Sequence, residues 1–336
     1  MPRTNRQVVL KNRPLGMVDD STTEVIEQIV PELEDGQALV AVRYLSIDPT
    51  IRTWMDDAPG YLPPIGIGEV IRAGGGGEVI ESRSSRYAVG DLVTGLTGWQ
   101  EFAIADEGFG AMSHAPADLD LAVTLNILGV TGMTAYFGLL EVGAMKEGDV
   151  VVVSGAAGAT GSAVGQIARI KGASKIIGIA GGPEKCAQLV DELGFDAAID
   201  YKNENVSNRL RDLAPTGLDL YFDNVGGSIL DAALANLAMS GRVVLCGAIS
   251  MYNETGRPTG PSNYMNLIIK RGRMEGFIVL DYMGRWPEGQ KVVSGWLREG
   301  KMQHAEHVVD GLEHAAEALN LLFTGGNTGK VLVKVS

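Results

Sequence analysis

Apolar and polar positions follow two textures along the chain. Up to about residue 110, short runs with period-two character alternate with turn-forming residues: "RQVVL" (6–10), "QALVAVRYLSI" (37–47), "GEVIRA" (68–73), "GEVIES" (77–82), "DLVTGL" (91–96) and "QEFAIA" (100–105). That pattern predicts a small β-rich domain. "AGGGGEV" (73–79) looks like a phosphate loop, but no helix-forming stretch follows it, so it is expected to be a flexible hairpin between two strands. From about residue 121, helical periods alternate with short apolar runs: "VVVVSG" (150–155), "KIIGIAG" (175–181), "AAIDY" (197–201), "LDLYFDNVG" (218–226), "GRVVLCGAI" (241–249) and "MEGFIV" (274–279). Runs spaced by helix-length connections predict an α/β fold, a doubly wound parallel sheet with helices on both faces. The stretch "HAAEALNLLFTGGNTGKVLVKVS" then reads as a helix, a Gly-rich turn and a last strand that returns to the β-rich domain. The expected domains are therefore 1–124 with 302–336, and 125–301.

The stretch "VVVSGAAGATGSAVG" (151–165) is where chemistry enters. In a dinucleotide fold the chain leaves the first strand through a turn so tight that side chains obstruct the pyrophosphate, which rests on the following helix N-terminus. The positions here are Ala156, Gly158 and Gly161, with Gly155 beside the alanine that replaces the first glycine. Alone such a match is weak, since Gly/Ala-rich loops also occur as ordinary turns. A strand before it, a small-faced helix after it and a second strand at βαβ distance favour the cofactor reading. Selectivity for NAD usually comes from an acid at the end of the second strand. This chain has Ala180-Gly181-Gly182 there, with Lys185 close enough to neutralise a 2′-phosphate and Glu184 also nearby. NADP(H) is the expected cofactor, and Lys185 as a solvated residue of a first helical turn is the alternative.

Composition narrows the picture. The 336 residues suit two domains, and a net charge of −13 repels phosphate backbones and anionic lipid surfaces, so neither nucleic acid nor membrane is an expected partner. No apolar run approaches a membrane span, and "MPRTNRQVVLKNRP" lacks the apolar stretch of a signal peptide, which points to a cytoplasmic protein. Cys186 and Cys246 have no paired zinc spacing. His304, His307 and His314 could share a helix face, which a solvated surface explains as well as a metal would, and no metal is expected.

With these pieces placed, the chain resembles the zinc-independent branch of the medium-chain dehydrogenase/reductase superfamily, in particular its prostaglandin/leukotriene, curcumin and alkenal double-bond reductases. The matching stretches are "IDPTIR" (47–52), "GVTGMTAYFGLLEVGAMKEGDVVVVSGAAGATGS" (129–162), "LGFDAAIDYK" (193–202), "YFDNVGG" (221–227), "LCGAIS" (245–250), "RMEGFIV" (273–279) and "GNTGKVLVKV" (326–335). The resemblance implies a GroES-like β-domain plus a Rossmann domain, and NADPH-dependent reduction of an activated C=C bond. It implies that Gly158, Ala159 and Gly161 approach the pyrophosphate, while Lys185 and Tyr201 hold the 2′-phosphate, with Thr160 and Gly181 also at the cofactor. Met133, Thr134, Asn224, Cys246, Gly247, Ile249, the stretch Phe277, Ile278 and Val279, and Asn327 are implied along the rest of the cofactor. Tyr201 has the alternative of a strand-end aromatic packed on the fold. Cys246 reads as a small buried residue offering its backbone, not as a nucleophile. Many relatives carry a tyrosine where this chain has Thr50, which leaves the substrate's identity open.

Alcohol oxidation in this superfamily leans on zinc, and the ligand inventory does not supply the usual Cys/His set. Hydride addition to the β-carbon of an unsaturated ketone or aldehyde needs no metal, because a hydroxyl can hold the resulting enolate. Tyr264 aligns with the family tyrosine near the nicotinamide ribose and is the expected catalytic residue; Tyr252, Thr50, Met133 and Leu280 are expected at the substrate. Either tyrosine could instead be a loop aromatic covering apolar surface. An NADPH-dependent quinone reductase and a non-catalytic, crystallin-like NADPH-binding protein stay open as alternatives. A homodimer through the edge strand "RMEGFIV" is expected.

Overall fold

The computed structural model describes residues 3–108, 110–256 and 259–335. They form two compact units, Met1–Leu125 with Glu306–Ser336, and Asn126–Ala305. In chain order the first unit contributes β1 (Thr4–Leu10), β2 (Thr23–Ile29), β3 (Gln37–Ser46), α1 (Thr50–Trp54), β4 (Gly74–Ser82), β5 (Leu92–Leu96), β6 (Phe102–Asp106) and β7 (Ser113–His114), with α2 (Leu121–Asn126) at the boundary. The second contains α3 (Val130–Phe137), β8 (Val150–Ser154), α4 (Ala159–Ile170), β9 (Lys175–Ala180), α5 (Pro183–Asp191), β10 (Ala197–Asp200) and α6 (Val206–Leu213). It continues through β11 (Leu218–Asp223), α7 (Gly227–Ala235), β12 (Leu237–Leu245), α8 (Met265–Lys270), β13 (Arg273–Gly276) and α9 (Trp286–Arg298). The chain then completes the first unit with β14 (Glu306–Asp310), α10 (Ala315–Thr324) and β15 (Lys330–Lys334).

In the first unit β1 and β2 form an antiparallel ribbon, and the main sheet runs β14-β15-β3-β4-β5-β7, with β6 also on β3. Val40, Val42 and Leu45 of β3 meet Val79, Val93, Trp99 and Val333 in one core. Each fully buried aliphatic side chain there contributes about 1.5–3 kcal/mol relative to exposure. Two expectations from the apolar pattern fail here. "GEVIRA" is no ladder strand, since it makes only an isolated bridge between Val70 and Val9. The glycines at 74–77 are not a hairpin but the first half of β4. A Cβ on Gly75 would lie 2.2 Å from Thr97 Oγ1, and one on Gly77 would lie 2.0 Å from the Ala41 carbonyl oxygen. The run is glycine because neighbouring strands press against it. β15 joins antiparallel to β3, and beside that seam the buried Lys330 ammonium donates to Asp48 Oδ1 (2.6 Å) and to the Ile47 carbonyl (2.8 Å).

The sheet of the second unit is parallel throughout, in the order β10-β9-β8-β11-β12-β13. Strand order therefore reverses between β8 and β11, the switch point where ligands settle on open α/β sheets. Val151, Val152 and Val153 are buried because helices cover both faces, which explains a continuous apolar run rather than an alternating one. Glycine sets how closely α4 lies: a Cβ on Gly165 would meet the Phe195 ring at 2.0 Å. β12 starts earlier than the apolar run suggests, through Ser240 at φ 60°. β13 ends at Gly276, before the run does, because the Phe277 ring turns toward Gly138 and Tyr282.

His307 lies on β14 and His314 in the turn before α10, its ring nitrogen 3.0 Å from the Glu317 carboxylate, so these histidines share no helix face. Among the described residues no helix is long and apolar enough to cross a membrane.

Candidate active site

The elbow after β8 is built by backbone. Gly155 turns with φ 59°, the Ala156 N–H donates to the Ile179 carbonyl (3.1 Å), and Gly158 caps α4 with no side chain bonded to the first-turn donors. The first N–H groups of α4, at Ala159, Thr160 and Gly161, precede the helix's own bonding and can receive an anion. Gly161 is required by packing: its Cβ would lie 2.3 Å from the Gly155 carbonyl oxygen.

A second corner forms where β9 and β10 end. Asp200 Oδ1 accepts from the N–H of Gly182 (2.8 Å) and of Lys202 (3.1 Å), while Oδ2 accepts from Asn203 Nδ2 (2.7 Å). The Gly182 bond, then the Asn203 bond, hold this carboxyl below the usual carboxylate range. The tight turn carries Tyr201 and Lys202 over Gly181, whose Cβ would lie 2.9 Å from the Tyr201 ring and 3.0 Å from Lys202 Cε. Lys185, in the first turn of α5, is half-buried; burial, and next the charge of Lys202, push its ammonium below the usual lysine range. Tyr201 is 46% exposed, so it is not a packed strand-end aromatic. The structure thus brings Gly181, Lys185 and Tyr201 to one corner and adds Lys202, which nothing in the sequence distinguishes from an exposed lysine.

A third group lies at the ends of β8, β11 and β12. Asp223 Oδ1 accepts from the Tyr221 hydroxyl (2.7 Å), Ser154 Oγ (3.0 Å) and the N–H groups of Val225 and Gly226 (both 3.0 Å). Its Oδ2 is buried with no partner among the described residues, and burial raises the carboxyl's pKa. The N–H groups of Cys246 and Gly247 donate to the Asp223 carbonyl, and Asn224 Nδ2 donates to the Ser154 carbonyl (2.7 Å). Ile249 N–H donates to the Asn224 carbonyl (3.3 Å), and the Tyr252 hydroxyl accepts from Ala248 N–H (3.2 Å). Asn224, Cys246, Gly247, Ile249 and Tyr252 therefore share one bonded cluster. The Cys246 thiol is inside it, pushed up to about 12 by burial, as expected for an unreactive residue.

The remaining residues are more dispersed. Phe277, Ile278, Val279 and Leu280 follow directly on β13. Met133 is fully buried with its sulfur facing Gly289, and the Thr134 hydroxyl donates to the Val130 carbonyl (2.7 Å). Tyr264, 55% exposed, caps α8, and its hydroxyl has no partner among the described residues; Asn263 beside it is anchored to Asp231. In the first unit Asn327 is buried, with Nδ2 donating to the Gly329 carbonyl (3.0 Å). The Thr50 and Tyr61 hydroxyls lie 2.6 Å apart, and the Tyr61 ring meets Trp54 edge-on at 6.1 Å. A tyrosine hydroxyl thus stands beside the threonine that departs from the family pattern. Sequence reasoning missed it, because ten residues separate the two, the end of α1 and a loop that carries no periodicity.

Among the described residues no three His, Cys, Asp or Glu side chains gather in a way that could hold a metal. Comparison with known proteins gives two family matches, "N-terminal domain of oxidoreductase" over residues 6–112 and "Zinc-binding dehydrogenase" over residues 159–294. The residues present do not fit the zinc of the second description. The NADP(+)-dependent 2-alkenal reductase of Nicotiana tabacum is 41% identical over 339 residues, 99% of this chain and 98% of the relative. The NADPH-dependent curcumin reductase of Escherichia coli (strain K12) is 39% identical over 337 residues, 99% and 97% of the two chains. The crystal structure of CurA from Vibrio vulnificus in complex with NADPH superposes with a TM-score of 0.93 at 41% identity, covering 98% of this chain and 99% of that one. Likeness over the whole length, on a Rossmann sheet with a GroES-like unit, decides the family: the chain belongs to the zinc-independent branch of the medium-chain dehydrogenase/reductase superfamily, with the curcumin, alkenal and prostaglandin reductases.

Proposed function

We propose that this chain reduces the C=C bond of α,β-unsaturated ketones or aldehydes with NADPH. It is an NADP-dependent oxidoreductase, and NADPH-dependent enone reduction is the activity that its relatives' names share in general terms. The observation that carries the reading is the corner over Gly181, where a phenol and two ammonium groups stand in place of the acid that selects NAD. Bound there, NADPH supplies the hydride for the β-carbon.

The chain's own residues do the rest. The N–H groups at Ala159, Thr160 and Gly161 hold the pyrophosphate, with Gly158 letting the backbone approach it, and Lys185 and Tyr201 hold the 2′-phosphate beside Gly181. Asn224, Cys246, Gly247 and Ile249 present the bonded edge of β11 and β12 to the cofactor, together with Phe277, Ile278 and Val279. Met133, Thr134 and Asn327 are assigned to the same path. The Tyr264 hydroxyl donates to the substrate oxygen as negative charge develops, directly or through the ribose, which strengthens a bond made only in the transition state. Tyr252, Thr50, Met133 and Leu280 are assigned to the substrate, with Tyr61 added through its bond to Thr50. We further propose a cytoplasmic homodimer paired through β13, the outer strand of its sheet; a monomer mass across micromolar concentrations in light scattering would overturn the dimer.

The test is a panel of enones, enals and quinones mixed with the protein and NADPH, followed at the cofactor's absorbance band. Turnover of quinones alone would replace the reaction class. Tyr264→Phe, in a protein that turns over one enone, is expected to lower the catalytic rate roughly ten- to a thousandfold with cofactor affinity and melting unchanged. Full rate in that variant would remove Tyr264 from the mechanism.

A further inference from the structure

We infer that Lys202 is a second cation of the 2′-phosphate subsite and helps to set the preference for NADPH over NADH, an inference that rests on the proposed placement of that phosphate at Lys185 and Tyr201. Adjacent residues of a strand point to opposite faces. Tyr201 and Lys202 escape that rule because β10 stops at Asp200 and the chain turns there, with Asp200 Oδ1 bonded to the Lys202 N–H. Both side chains consequently converge on the one spot that Gly181 leaves open, at 2.9 and 3.0 Å from where its Cβ would be.

Charge supports the same assignment. Lys202 lies close enough to Lys185 for its charge to disfavour the charged form of Lys185. Among the described residues no carboxylate forms an ion pair with Lys202, although the chain carries 41 acidic residues. The nearest acid to act on it, Asp200, already receives three N–H donors on its two oxygens. A phosphomonoester brings up to two negative charges and three acceptor oxygens, more than a single ammonium and a phenol satisfy. Two neighbouring cations repel, and a dianionic ligand between them relieves the repulsion. The 2′-phosphate distinguishes NADPH from NADH, so a cation devoted to it contributes specificity rather than general affinity.

The experiment is calorimetric titration of the whole chain with adenosine 2′,5′-bisphosphate and with 5′-AMP, which lacks the 2′-phosphate, using the parent, Lys185→Met, Lys202→Met and Lys202→Arg. The parent is expected to prefer the bisphosphate. Lys202→Met is expected to bind it roughly ten- to a hundredfold more weakly, the loss of one charge-assisted bond, and to bind 5′-AMP as the parent does. Lys202→Arg, which keeps the charge, is expected to restore most of the preference. A parent that does not distinguish the two ligands would refute the phosphate placement itself. A parent that does, with Lys185→Met weakened and Lys202→Met unchanged, would overturn the role of Lys202 alone. So would an arginine variant as weak as the methionine one, since a disturbed turn would then explain the loss.

Discussion

Asp200 at the end of β10 and Asp223 at the end of β11 occupy equivalent places in one parallel sheet, and each accepts two backbone N–H groups from the loops at the strand ends. Their environments pull them in opposite directions. Asp200 is held below the usual carboxylate range, chiefly by its bond from Gly182, and lies beside exposed lysine and tyrosine side chains. Asp223 is raised by burial, with one oxygen crowded by donors and the other without a partner. The contrast separates a corner that we propose meets the cofactor's 2′-phosphate from a hub that holds loops together. Substitutions at the first should change what is bound, and at the second whether the unit stands.

The largest effect that would test this division is at the hub. Asp223→Ala removes the acceptor of two side-chain hydroxyls and two backbone N–H groups, and we expect a loss of about 3 kcal/mol or more in unfolding free energy. A variant that melts with the parent would abolish the distinction. Next comes the ligand corner: Lys185→Ala is expected to weaken NADPH by about 1–3 kcal/mol and leave NADH and melting nearly unchanged. Equal losses for both cofactors in a binding titration would show a damaged loop instead.

A subtler effect concerns pH, and here the two aspartates should diverge in sign. Asp200, with its pKa lowered on folding, contributes stability that is present above the ordinary carboxylate range and lost as pH falls through its folded value. Asp223, raised on folding, contributes stability that is present at low pH and lost as pH rises through its folded value. Asp200→Asn should therefore cost more at neutral pH than in acid, and Asp223→Asn less. Denaturant titrations at both pH values measure this, and parallel trends would contradict it. The smallest effect is chemical: with the Cys246 thiol at about 12, only about one in ten thousand is ionised at pH 8, so iodoacetamide should leave Cys246 unlabelled in the folded chain while labelling it in denaturant. Rapid labelling of the native thiol would mean that the hub opens.

The parallel sheet and the elbow were legible because their signals are local. Four consecutive valines, small residues at fixed spacing and helix-length gaps each report on a few neighbouring positions. The glycines of β4 misled because a glycine forced by pressure from Ala41 and Thr97 looks the same in sequence as one that allows a turn. β2 escaped notice because its residues are mostly exposed and show no apolar alternation. At the candidate site, the residues next to glycine motifs could be read directly. The placement of Tyr61 and Lys202 could not, since it depends on where a loop closes and how a strand ends. The grouping of His304, His307 and His314 on one face assumed a helix where β14 lies.

The seam between β3 and β15 has a consequence in time. Residues 46 and 332 pair across it, and the ammonium of Lys330 reaches Asp48, so β3 meets its last partner only after the whole intervening unit has been synthesised. Synthesis from the N-terminus lets residues 126–305 close while the earlier sheet is still open along one side. On the ribosome the second unit should become protease-resistant first, and β3 should stay cleavable until β15 emerges. A nascent chain arrested before β14 with β3 already protected would reverse that order. The late-paired end of β3 would then be the interval's most aggregation-prone segment, since β4 covers one edge and β6 covers residues 37–41 of the other, leaving residues 44–46 of that edge bare until the last residues arrive.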